Sequence, residues 1–331
     1  MMGTYLNTRR ILIFLAFAFG IPWAAALVLY LTVGVDDLAK AQGLANSISI
    51  SIPWLANVAT RLITKEGWGH LMLRPNFRRG WRSYLAAWLL PLLAIIVGTA
   101  TFYLIFPHSL DSNLSEVQKL VEGSPSAAVA NPWMTLLAIT LTNMIISVPI
   151  RAVTSIGEEF GWRAYLLPKL VERFAIERAS ASAQDPAHAG GLDAAGARKS
   201  ALLIGVIHGV WHWPLILMSA KFAPGVTFLT PLIYLVFACS LSVLLTWVTL
   251  RSDSVWPAAL GHGMLCFYST MAMCTLKGPA IPLLGPGSSD LIGGMGFTIL
   301  ALVLFFSRRA FVGEQEARPE RLPAVLVTNR G

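Results

Sequence analysis

Charge is the scarcest ingredient of this sequence. Asp, Glu, Lys and Arg make up 13% of its 331 residues, against 55% hydrophobic residues. That balance excludes an ordinary water-soluble domain, in which about a quarter of residues are charged. Acidic residues are outnumbered by basic ones, 17 to 25, giving a net charge of +8. The excess does not indicate a nucleic-acid partner, because the basic residues cluster in alternate loops between apolar runs, as cytoplasmic loops of membrane proteins do. Cysteine is nearly missing. Cys239, Cys266 and Cys274 all fall inside apolar runs, without zinc-ligand spacing or an extracytoplasmic disulfide pattern, and read as small apolar residues. There is no internal repeat of the kind that marks inverted-repeat transporters.

What the sequence has in abundance is apolar runs of membrane-spanning length. They predict an all-α, polytopic transmembrane helical bundle of about eight spans, at roughly residues 11–33, 41–62, 83–106, 133–156, 200–220, 228–250, 255–275 and 289–307. Arg9-Arg10 followed by an apolar run resembles a signal peptide, but the run continues to about Val35, too long for a signal sequence, and reads as an uncleaved first span. The second span carries Ser47, Ser49, Ser51, Asn57 and Arg61 and is expected to pack inside the bundle. Lys and Arg concentrate before the first span, between spans two and three, four and five, and six and seven, and after the eighth. That asymmetry places both termini in the cytoplasm.

The bundle is expected over residues 1–312. A short amphipathic helix is expected at Leu114–Val121. Residues 177–199, rich in Ala, Gly and Ser, read as a flexible cytoplasmic insertion, and residues 313–331 as a disordered cytoplasmic tail.

Polar groups at membrane depth are costly and mark function by default. Glu158 and Glu159 end the fourth span, in Gly157-Glu158-Glu159-Phe160-Gly161-Trp162-Arg163. On a helix Glu159 and Arg163 share a face with the acid on the N-terminal side, the better orientation for a pair. Glu158 points about 100° away, free for chemistry. His208 and His212 stack one turn apart in the fifth span, and His262 lies early in the seventh. Glu158, His212 and His262 can meet in the cytoplasmic half of the bilayer. One carboxylate and two imidazoles suit either a water activated by a buried glutamate or a divalent metal such as zinc held by those three residues. The adjacent carboxylates favour the metal-free form, and no third strong ligand is evident unless His208 joins. The spacing of His208 and His212 is that of HExxH, but position 209 is Gly, so that signature is absent.

Glu158-Glu159-x-x-x-Arg163, then Trp211-His212-Trp213-Pro214, then His262, resembles the CAAX protease and bacteriocin-processing (Abi) family of intramembrane proteases. The resemblance covers about residues 130–270. It implies that Glu158 activates the hydrolytic water, that His212 shares it, and that His262 helps stabilise the oxyanion. Glu159 and Arg163 would hold the motif helix, and His208, where family members often carry an aromatic residue, would support from behind. The family usually has Asn or Asp four residues after the third-motif histidine. Here that residue is Cys266, a weak donor. Asn143 is a substitute amide donor from another helix.

The leading reading is therefore an endopeptidase of the membrane interior, cutting a membrane-anchored or lipid-modified peptide at a cytoplasm-facing cavity. The family's common occurrence points to a bacterial cytoplasmic membrane. The competing readings are a non-catalytic family member that scaffolds or regulates another membrane protein, with Cys266 marking lost chemistry, and a proton-relay transporter.

Overall fold

A backbone in lipid must satisfy its own hydrogen bonds, and helices do so within one segment. The computed structural model describes residues 2–33, 37–122, 131–184, 194–220, 225–307 and 309–311, and its regular elements are helices. They are α1 (Met2–Thr32), α2 (Leu38–Thr64), α3 (Phe77–Ile105), α4 (Ser115–Val121), α5 (Pro132–Ile145), α6 (Ser147–Gly161), α7 (Leu167–Gln184), α8 (Ala194–Trp211), α9 (Trp213–Ser219), α10 (Thr230–Ser252), α11 (Trp256–Met273) and α12 (Met295–Phe306). Four segments are long and apolar enough to cross a membrane: Asn7–Thr32, Phe77–Ile105, Ala194–Ser219 and Thr230–Ser252. A fifth, Pro132–Ile145 with Ser147–Glu177, qualifies as a pair bent by 48°. The protein is an integral membrane protein. The eight expected apolar stretches overlap helices or broken pairs of helices, the last only over Met295–Phe306 of 289–307.

Two breaks have local causes. At the α5–α6 bend, Pro149 has no N–H to return to the Ile145 carbonyl, and Asn143 donates to the Ile139 carbonyl and accepts from Ser147 Oγ across the break. Between α8 and α9, Pro214 has no N–H to return to the preceding turn, and His212 sits at the break. The insertion expected at 177–199 is helical at its described edges, since α7 runs to Gln184 and α8 begins at Ala194. Residues 185–193 and the tail 313–331 lie outside the described residues.

The helix bearing the two glutamates, α6, packs against α2 and against α11. Both approaches require glycine. A Cβ on Gly161 would lie 2.6 Å from the Pro53 carbonyl oxygen of α2, and one on Gly263 would lie 2.8 Å from the Ala152 nitrogen of α6. These two glycines bring α2 and α11 to backbone contact with the helix bearing the two glutamates. An apolar cluster including Phe14, Trp162, Leu166, Ile204 and Trp211 clamps α1 and α8 over the same region.

Below α2, in the loop that follows it, Glu66 gathers Lys169, the Tyr165 hydroxyl (3.1 Å) and Arg10 (3.6 Å). Burial would raise its pKa, but the Lys169 hydrogen bond and the charges of Lys169, Arg10 and Arg61 outweigh that and hold it below the ordinary glutamate value. A depressed carboxylate contributes stability above its unfolded-state pKa and loses it as pH falls through the folded one. The thermal midpoint of the purified protein should therefore drop on acidification below about pH 4.3. Glu66→Gln should flatten that part of the profile; an unchanged slope would remove Glu66 from the account.

Candidate active site

The stretch after the two glutamates does not continue as a regular α-helix. Trp162–Leu166 forms a π-turn, and all five of its residues are buried. Such single-turn insertions are rare and concentrate at functional sites. Across it Arg163 Nη1 still reaches Glu159, donating to Oε1 at 3.1 Å, with Oε2 also 3.1 Å away but outside hydrogen-bonding geometry. Both side chains are 0% exposed. Arg163 Nε and Nη2 find no hydrogen-bond partner among the described residues.

His262, on α11, completes the hold on Glu159. Its Nδ1 lies 2.8 Å from Glu159 Oε1. A carboxylate only accepts, so Nδ1 carries the proton and Nε2 is the free end of the ring. Gly263, next in the chain, lets α11 approach closely enough for this contact.

Glu158 turns to α8 instead. Its Oε2 lies 2.8 Å from His208 Nε2, and both residues are buried. His212 stands one turn on, ring centroids 4.9 Å from His208, with its Nδ1 donating to the His208 carbonyl at 3.0 Å. Glu158, His208 and His212 each offer one donor atom to a common point, all within 4.8 Å of one another. Trp162 and Trp211 flank His208 at 5.5 and 5.8 Å between ring centroids. His212 also touches Tyr234 of α10.

The expected residues thus converge, but with partners exchanged. Glu158 meets His208, the residue expected behind the site, and His212 lies beside that pair. His262 faces Glu159 rather than Glu158, although its ring is 6.0 Å from that of His208. The side-chain ligand atoms that cluster are those of Glu158, His208 and His212, while His262 is bonded to Glu159. Asn143 does not approach; its amide is engaged at the α5–α6 bend. Cys266 lies on α11, one turn after His262, and its side chain is outside the described residues.

The sequence reading missed one support. Asn57 of α2, fully buried, donates to the Phe160 carbonyl at 3.0 Å, immediately after Glu159. Arg61 Nε fixes the amide by donating to Asn57 Oδ1 at 2.8 Å, and its Nη1 holds the Gly67 carbonyl at 2.7 Å. The signal was present: a buried-type amide and a guanidinium four residues apart in the least apolar expected span. Asn57→Leu should cost about 1–3 kcal/mol, because it strands the Phe160 carbonyl and the Arg61 Nε donor together. The thermal midpoint in detergent reads this directly, and a midpoint equal to wild type would show the brace to be incidental.

A groove of about 470 Å³ runs between α2 and α6, lined by Ser47, Ile50, Ser51, Trp54, Val153 and Gly157 among others. It ends beside Glu158 in the chain, though Glu158 does not line it.

Residues 132–268 match the family model described as type II CAAX prenyl endopeptidase Rce1-like. That match accords with the resemblance to the CAAX protease and bacteriocin-processing family. The match contains all of the glutamates and histidines gathered here and excludes the Asn57–Arg61 brace. No curated protein and no solved structure gives a significant match to the chain.

Proposed function

We propose that the Rce1-like domain is an endopeptidase of the membrane interior, hydrolysing a peptide bond of a membrane-anchored or lipid-modified peptide or protein. The observation that carries this reading is the division of labour between adjacent carboxylates. Glu159 is fixed by Arg163 and His262, while Glu158 meets the imidazole of His208. Within a site that excludes bulk water, Glu158 with His208 and His212 takes a proton from a water, whose oxygen attacks the carbonyl carbon. The proton then passes to the departing amine. His262, held by its Nδ1, presents Nε2 to the oxygen that gains negative charge. The peptide's membrane anchor supplies the binding energy that positions the bond.

Eight spans with both termini cytoplasmic put this site in the cytoplasmic half of the bilayer, opening to that side. The basic-residue asymmetry supports this topology. Four helical segments, or five with the bent α5–α6 pair, are long and apolar enough to cross a membrane, and α2, α11 and α12 would make up the remaining three.

The test is a comparison of membrane-protein termini by mass spectrometry, between cells carrying the wild-type chain and cells carrying Glu158→Gln at equal abundance. Termini that vanish with the variant establish proteolysis and identify the substrate together. Identical sets would reject the peptidase reading and direct attention to a binding partner.

A further inference from the structure

We infer that the N-terminal end of α3 holds the headgroup of an anionic phospholipid, with Arg78 and Arg82 on its phosphate and an acyl chain along the leucines that follow. The site lies on a different helix from the glutamates and histidines and is independent of the peptidase reading.

The packing of α3 sets the geometry. Gly80, Ser83 and Ala87 are buried, and a Cβ on Gly80 would lie 2.9 Å from the Ser252 Cβ of α10. Asn76, just before α3, donates to the Ser252 and Asp253 carbonyls at 3.2 and 2.8 Å. One face of the first turns is thereby fixed against α10. Arg78 and Arg82 each stand two residues from Gly80, about 160° round the helix from it, and both are exposed. Leu85, Leu89 and Leu93 continue their face at spacings of three and four, and all three are exposed as well. This helix is long and apolar enough to cross a membrane, so an exposed leucine stripe on it is a surface for hydrocarbon. The two arginines close the end of that apolar track, at the level where headgroups lie.

The charge at this end is one-sided. Residues 65–82 carry Lys65, Arg74, Arg78, Arg79 and Arg82 against one acid, Glu66, and Glu66 is engaged by Lys169 and Arg10. Arg78 and Arg82 form no ion pair among the described residues. The first turn of α3 has no acidic residue and no side-chain cap, so the positive end of the helix favours the same anion. The Arg82 guanidinium sits 5.4 Å from the centroid of the exposed Trp81 ring. Tryptophan settles at headgroup level, and a guanidinium beside it keeps its planar fork of donors for phosphate oxygens. A soluble anion would use the arginines alone; a phospholipid uses the arginines and the leucine track together.

The experiment uses the full chain purified in detergent and titrated with phosphatidylglycerol, or with phosphatidylcholine of the same acyl chains. The readouts are the thermal midpoint and the phospholipid retained per chain in native mass spectrometry. Phosphatidylglycerol should raise the midpoint and stay bound where phosphatidylcholine does not. Arg78→Gln/Arg82→Gln should weaken that binding by on the order of tenfold, with a lipid-free midpoint equal to wild type because both side chains are exposed. Arg9→Gln/Lys65→Gln removes two exposed cations next to the Arg10–Glu66 pair and should keep wild-type affinity. An equal response to the two lipids, or wild-type binding by Arg78→Gln/Arg82→Gln, would overturn the inference. So would an equal loss in both double variants, which would reduce the site to diffuse attraction between a basic surface and an acidic membrane. Glycerol phosphate, a headgroup without chains, should leave the midpoint unchanged; stabilisation by it equal to that of phosphatidylglycerol would replace the lipid with a soluble phosphate.

Discussion

Arg163→Met should prevent the chain from accumulating in the membrane. The guanidinium and its partner Glu159 are both 0% exposed, so removing the arginine leaves a buried carboxylate whose remaining partner is His262. Breaking a buried ion pair from one side costs about 3–5 kcal/mol, a large share of the roughly 5–15 kcal/mol that holds a folded domain together. The π-turn compounds the loss, because Arg163 is the residue that returns from it to the preceding helix. The double variant Glu159→Gln/Arg163→Met removes the orphaned charge and should recover part of the abundance and thermal midpoint. Recovery separates the cost of an unpaired charge from the cost of lost packing. If the single variant accumulates normally with an unchanged midpoint, the pair is not what holds the motif.

Glu158→Gln should behave in the opposite way, with normal abundance and little turnover. A glutamine occupies the same space and can still hydrogen-bond to His208, so the packing of α6 on α8 is kept. What it loses is the ability to take a proton. Proton transfer by a positioned side chain is worth about 10²–10⁴-fold in rate, and turnover of the substrate identified from the termini should fall by that factor. His208→Gln tests the exchange of partners. With Glu158 bonded to His208 rather than His212, the loss should approach that of Glu158→Gln. Turnover within a few fold of wild type would return His208 to a supporting place and leave His212 as the working histidine.

Features set within one helix were readable. Apolar runs located the helices, because lipid forces each backbone segment to satisfy itself. Glu159 and Arg163 were expected to pair from a spacing of four, and they do, even across a π-turn. Glu158 was expected to point elsewhere, and it does. The pattern of glutamates, arginine and histidines carried the family resemblance, which residues 132–268 share with the Rce1-like model.

Features set between helices were not readable. Whether Glu158 meets His208, His212 or His262 depends on how far α8 and α11 slide and turn against α6. Those offsets are fixed by contacts such as Gly263 against the Ala152 backbone, by the 48° bend at Ile146 and by the break before Pro214. Asn57 was legible as a residue destined for the interior, but its partner is a carbonyl more than a hundred residues away. The sequence by itself thus determined the helices, the membrane setting and which polar residues lie along them, because periodicity and burial are local in cause. Only the tertiary structure decided which glutamate faces which histidine, because a difference of one residue in helix register moves a side chain by about 1.5 Å and 100°, enough to exchange one partner for another.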